Sequence, residues 1–291
     1  MSGDRDDPVD DPEDEAWVAL CEQVPASIDA TACLALHERT LEAPESEGEP
    51  PLLHVRSTGM LASLASDWRS RFKVDKPMQT MLIGDAGALL EDLPAAAGFL
   101  AGHPQAWLSL DVLDDLLLAA AEIAGPDAPT PVLRSAWRLA EHAVAVLRIV
   151  IGEQPVRLLW MNTASRPALR VLAQAIHLAR ERRDNAQIEQ LIRWSLQLNP
   201  HDNHGWRTVL APALLLKGRA EEALALTQAY PDDMPPMAHL RALALFMLDR
   251  RDEAEAALRA AHADHPRLVQ ALLPPLLDAP PEDDGPGIEP G

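Results

Sequence analysis

Three short tracts in this chain have residue types that could hold a metal or move a proton. Asp111-Val-Leu-Asp114-Asp115 places carboxylates about one helical turn apart, a spacing at which acidic side chains can share a divalent cation. No second acidic motif follows and the tract is rich in leucine, so a solvated helix face is the expectation. His201-Asp202-Asn203-His204 and the pair His262 and His265 offer imidazoles at His-x-x-His spacing. A closed zinc site needs four ligands and an open one needs three, and no further ligand stands at a fixed distance along the chain. The expected role of Asp202 or Asn203 is therefore to cap the following helix by accepting a backbone N–H. Cys21 and Cys33 lack Cys-x-x-Cys spacing and are expected to be small core residues rather than a disulfide or metal ligands.

The Asp111–Asp115 tract resembles the aspartate-rich magnesium motif of terpenoid synthases, without the second motif that such enzymes require. Neither Gly-x-x-x-x-Gly-Lys-Ser/Thr nor Gly-x-Gly-x-x-Gly occurs, so nucleotide binding through those loops has no support. Gly-x-Ser-x-Gly is absent, and neither cysteine has a neighbouring histidine that would mark a nucleophile. The chain is read as a non-enzyme without a cofactor or a metal.

The elements that would carry these residues read as helices. The apolar residues, 47% of the chain, are mainly Ala and Leu, the strongest helix formers, and β-branched residues are sparse. Charge is unevenly spread. Residues 1–151 hold 26 acidic against 10 basic residues, residues 152–270 hold 14 against 15, and the last 21 hold 5 against none. An acidic chain without a clustered basic footprint is a poor partner for nucleic acid or an anionic membrane surface. The start of the chain lacks the apolar run of a secretory signal, and no stretch is long enough to span a bilayer, so a cytoplasmic location is expected.

Along the chain, residues 1–15 are expected to form a disordered acidic tail, followed by an N-terminal helical hairpin over 16–42. A Pro-rich linker at 43–51 then sets that hairpin off from an irregular helical region at 52–151. Two long helices in that region, 105–124 and 132–151, pair through a short Pro-containing turn. Residues 152–277 form a domain of repeated helix pairs, and 278–291 a second disordered acidic tail.

Within 152–277, the segments 169–200, 204–231 and 235–266 each follow a helix–turn–helix pattern with Ala and Leu at matching places and a closing proline. The turns Lys217-Gly-Arg-Ala-Glu-Glu-Ala223 and Leu248-Asp-Arg-Arg-Asp-Glu-Ala254 correspond directly. The pattern resembles the tetratricopeptide repeat superfamily, and residues 267–277 read as the cap of the array. The string containing Asn199, Pro200, Asp202, Asn203, Gly205 and Arg207, with Arg166-Pro167 upstream, is similar to a loop of a bacterial branch of that superfamily. The resemblance implies an all-α, solenoid-like fold with a concave surface for peptides or proteins, and no catalysis.

In that alignment Arg166, Arg170, His177, Arg180 and His239 line the groove. They would make it mildly basic and suited to an acidic or carboxylate-bearing segment, the chain's own tails included. The expected function is a partner-binding scaffold or adaptor. The alternatives are an enzyme or small-molecule binder with a site between the N-terminal helices and the repeats, or a structural subunit held by an apolar face.

Overall fold

Asp11 accepts a hydrogen bond from the Glu13 amide and Pro12 opens the turn, so the first helix, α1, runs from Pro12 to Glu22. The computed structural model describes residues 11–44, 46–74, 85–231 and 235–266. Residues 12–15, expected in a disordered tail, thus belong to α1, while 1–10, the cap at 267–277 and the tail at 278–291 lie outside the described residues.

Asp29 caps α2 (Ala30–Ala35), and there the helical part of the hairpin expected over 16–42 stops. His37–Glu42 is instead a strand, β1, paired antiparallel with β2 (Leu52–Ser57), His37 opposite Ser57 and Glu42 opposite Leu52. Leu53 and Val55 alternate inward along β2, the period of a half-buried strand. The fold is mainly helical, consistent with the all-α expectation, and the described residues carry one small β-hairpin.

Residues 43–51 connect these strands and do not set off a separate unit. The Arg157 side chain donates to the Pro50 carbonyl (3.0 Å) and pairs with Glu49 (2.9 Å). The Leu53 amide donates to the Arg157 carbonyl (2.8 Å), so the hairpin is tied to the chain a hundred residues on.

The next helices are α3 (Gly59–Phe72), α4 (Gly87–Leu90), α5 (Leu93–Gly102), α6 (Leu110–Ile123) and α7 (Thr130–Ile151). Pro94 falls in the first turn of α5, where its missing N–H removes no helical bond. Then come α8 (Arg166–Glu181), α9 (Asn185–Leu198), α10 (Arg207–Leu216), α11 (Ala220–Ala229), α12 (Pro235–Met247) and α13 (Arg251–Asp264). The chain divides into two compact units, one running to His204 and one starting at Gly205. The division falls inside the stretch read as the repeat domain.

In the first unit α8 packs on α6, α7 and α9, and almost every residue from Ala168 to Ala179 is buried. Both α1 and α2 rest on α7, with Trp17 fully buried and the Arg138 side chain of α7 donating to the Val24 carbonyl (2.8 Å). In the second unit α10, α11, α12 and α13 pack in succession.

The turns of the helix pairs α8–α9, α10–α11 and α12–α13 share one geometry. Arg183, Gly218 and Asp249 stand in the left-handed region at φ 56°, 72° and 58°. The following amide of each, at Asp184, Arg219 and Arg250, bonds to the carbonyl five residues back, at Ala179, Leu214 and Leu245. This is the Schellman closure, which satisfies carbonyls left over at a helix end. The next helix then begins at the same offset each time. Arg219 and Arg250 each fork onto a glutamate three residues on, Glu222 and Glu253, at 2.6–2.7 Å.

Candidate functional site

The aspartate tract is not a solvated face. Asp114 and Asp115 are buried on α6, and the Trp68 indole N–H of α3 donates to the Asp115 carboxylate (3.0 Å). The Asp114 carboxylate stands 3.6 Å from the Arg170 guanidinium of α8. A carboxylate removed from water is tolerated when a cation or a donor meets it, and these two have both. No group of three or more His, Cys, Asp or Glu among the described residues is placed to hold a metal ion.

The residues expected to line a concave groove have divided fates. Arg166 and Arg170 lie largely inside the first unit, because α6 and α7 cover the helix that carries them. Both guanidiniums stand over the Trp160 indole, at 5.3 and 5.4 Å from its centre, and Arg166 also donates to the Trp160 carbonyl (2.9 Å). His177 is half-buried beside Glu181 (3.9 Å), and Arg180 is exposed. His239 belongs to the second unit, buried with one ring nitrogen 2.9 Å from the Pro235 carbonyl. Arg166 and Arg170 therefore do not form an open basic groove, and they are corrected to members of a buried cluster.

His204 completes that cluster, its ring edge-on to Trp160 at 5.2 Å. Burial, helped by the Arg170 charge, pushes its pKa down to about 4, so the imidazole is neutral at pH 7. Asn199, Pro200, Asp202 and Asn203 of the loop motif lie in the first unit, with Asn199 and Asp202 buried. Gly205 and Arg207 open the second unit, where Arg207 stands over the Tyr230 ring (4.9 Å). Trp206 is the N-cap of α10 and its side chain makes no capping hydrogen bond, while Thr208 bonds the Gly205 carbonyl through both its amide and its hydroxyl.

A histidine–carboxylate pair also lies on the β-hairpin. The His54 ring bonds Glu42 through Nε2 (3.0 Å) and Asn162 through Nδ1 (2.8 Å). Asn162 donates its amide N–H, which makes Nδ1 the acceptor and leaves the Nε2 proton pointing at the glutamate. With both nitrogens engaged, the pair ties β1 and β2 to the turn before α8.

The open surface of the first unit is a groove between α7 and α9. Trp137, Glu141, Val144, Arg148 and Ile151 recur at intervals of three or four residues along one face of α7. Gln187, Leu191, Trp194 and Leu198 do the same on α9. A cleft of about 220 Å³ lies between Trp137, Val144 and Leu191, and one of about 390 Å³ lies between Ile151, Val156 and Trp194. The Arg148 guanidinium stands over the Trp194 ring (5.5 Å) where these clefts meet, and Arg182 stands over Trp137 (4.7 Å) at the other end. Trp137 is buried and Trp194 half-buried, and the arginines over their rings follow from the packing of α7 and α9 on α8, which no motif announces.

The second unit has its own cleft, of about 440 Å³, over α12 between α11 and α13, lined by Tyr230, Met237, Arg241 and an alanine-rich face of α13. Leu243, Phe246 and Met247 are exposed at i, i+3 and i+4 on α12, with Leu216 of α10 and Leu258 of α13 also exposed.

No protein-family model, no curated protein and no solved structure matches the chain. No helix among the described residues is long and apolar enough to cross a membrane.

Proposed function

We propose that this protein is a non-catalytic scaffold that binds a protein or peptide partner, with tetratricopeptide-like helix pairs as its framework. The observation that carries the reading is the α7–α9 groove, lined by Ala140, Glu141, Val144, Ala145, Gln187 and Leu191, with Trp137 and Trp194 beside it and an arginine over each ring. Tryptophan and arginine are the side chains that most often dominate the energy of protein recognition. An open groove between two helices accepts an amphipathic helix or an extended strand of a partner. The three turns of one geometry support the repeat framework, since repetition of a supersecondary unit is what builds a solenoid.

The reading is tested by photo-cross-linking. A cross-linking amino acid at Ala145, in the groove, is expected to capture a discrete partner in native extract, and Arg148→Glu/Arg182→Glu is expected to abolish the adduct. Capture that is indifferent to the charge reversal would remove the groove from the account.

A second reading has its own support. The exposed Leu216, Leu243, Phe246, Met247 and Leu258 suit a subunit held in a larger assembly through its second unit. The cross-linker at Phe246 would then capture the neighbour, and the one at Ala145 would not.

A further inference from the structure

We infer that the apolar face exposed on α12 and α13 is a docking surface for the chain's own residues 268–277, seated there as α12 is seated on α10 and α11. The inference concerns the second unit, is independent of the α7–α9 groove, and competes with the reading that gives this face to a neighbouring subunit. The α10–α11 and α12–α13 pairs correspond at an offset of 31 residues, which matches Gly218 with Asp249 in the left-handed turn and Glu222 with Glu253 beneath their arginine forks. At that offset Leu215 corresponds to Phe246 and Thr227 to Leu258. Leu215 is 5% exposed and Thr227 3%, in a pair on which α12 packs. Phe246 and Leu258 are 59% and 46% exposed, and among the described residues no element follows α13. A stacked helix pair leaves an apolar face that the next element of the chain buries, and here that face carries larger apolar side chains than its buried counterpart.

The same offset selects the occupant. Pro235, the first residue of α12, corresponds to Pro266, the last described residue. Met237 and Leu245 of α12 are buried and line the cleft that Thr227 also lines, and their counterparts are Leu268 and Leu276. Seven of the ten residues from 268 to 277 are Leu, Val or Ala, and none is charged. Leaving such a stretch in water is unfavourable, and burying it against Phe246 and Leu258 removes apolar surface on both sides. The stretch begins four residues after α13 ends at Asp264. So short a tether gives it an effective concentration on the order of millimolar, ahead of a free partner of ordinary abundance.

Thiol labelling of the purified full chain measures the cover, because both native cysteines are buried. Leu258→Cys is expected to react at least about tenfold more slowly than Ala256→Cys, whose counterpart Ala225 stays exposed although α12 packs on its helix. Adding Leu268→Glu/Leu276→Glu is expected to bring the Leu258→Cys rate up to that of Ala256→Cys. A photo-cross-linking amino acid at Phe246 is expected to form an adduct with residues 268–277 of the same chain, at the mass of a monomer. These two measurements on chains with an unaltered 268–277 segment stand even where the glutamate variant fails to fold. Equal labelling of the two cysteines without the glutamates, or an adduct that omits residues 268–277, would overturn the inference. An adduct joining two copies, or capturing another protein in extract in place of the segment, would overturn it and give the face to a neighbour. The α7–α9 groove is untouched by any of these results.

Discussion

The Arg148 guanidinium lies 5.5 Å from the centre of the Trp194 ring, joining α7 to α9 across the surface that α8 supports from beneath. The contact restrains an otherwise flexible cation. Exposed cation–ring contacts contribute about 0.5–1 kcal/mol, so this one is better suited to orient a charge than to hold the fold. Trp194→Ala is therefore expected to lower stability by no more than about 2 kcal/mol in urea melts, since the indole is half-exposed. The same variant is expected to weaken partner binding at least about tenfold, and Trp194→Phe less. Unchanged affinity in Trp194→Ala would remove the stack from the binding surface.

Asp114→Ala is expected to destabilise the first unit by about 3 kcal/mol or more, because it leaves the largely buried Arg170 guanidinium without its carboxylate. Asp115→Asn retains an acceptor for the Trp68 indole N–H and is expected to cost less. Urea denaturation followed by tryptophan fluorescence measures both. A change within about 0.5 kcal/mol for Asp114→Ala would be that of an exposed carboxylate and would contradict the buried cluster.

Acid should weaken the first unit through His204. Its pKa in the folded chain is about 4, below the ordinary 6.5, so the unfolded chain takes up the proton first as pH falls. Stability from this group is fully present above pH 6.5 and is lost progressively towards pH 4. The loss between pH 7 and pH 5 is about 2 kcal/mol. Burial lowers the pKa of His37 and His142 in the same direction. His204→Gln is expected to show a correspondingly smaller difference between urea midpoints at pH 7 and pH 5; an equal difference would contradict the assignment.

The three left-handed turn residues make a matched set of substitutions. Arg183→Gly and Asp249→Gly are expected to be neutral or to stabilise by up to about 1 kcal/mol, because glycine adopts positive φ without a Cβ clash. Gly218→Ala is expected to lower stability by about 1 kcal/mol, although a Cβ there would meet nothing within 4 Å, so the cost is conformational. Thermal melts of the three variants check the signs.

The helix pairs were legible because 3.6-residue periodicity and Gly and Pro punctuation are local signals, as at Gly218 and Pro231. The β-hairpin was not, because 37–42 alternates weakly and its partner strand follows two prolines that read as a linker's end. Asp114 and Asp115 have partners on other helices, at positions 170 and 68, and acids in a leucine-rich helix default to solvent until those partners are placed. Arg170 was expected to line an open groove and is instead largely buried against Asp114, for the same reason. The groove became visible only once α7 and α9 flanked α8, since each contributes half of it.

The most direct test of the central claim is amide hydrogen exchange on the full chain with and without the partner captured from Ala145. Slowed exchange confined to residues 137–151 and 187–198 is the predicted result. Protection centred on 235–264, or none in α7 and α9, would contradict a binding groove between them.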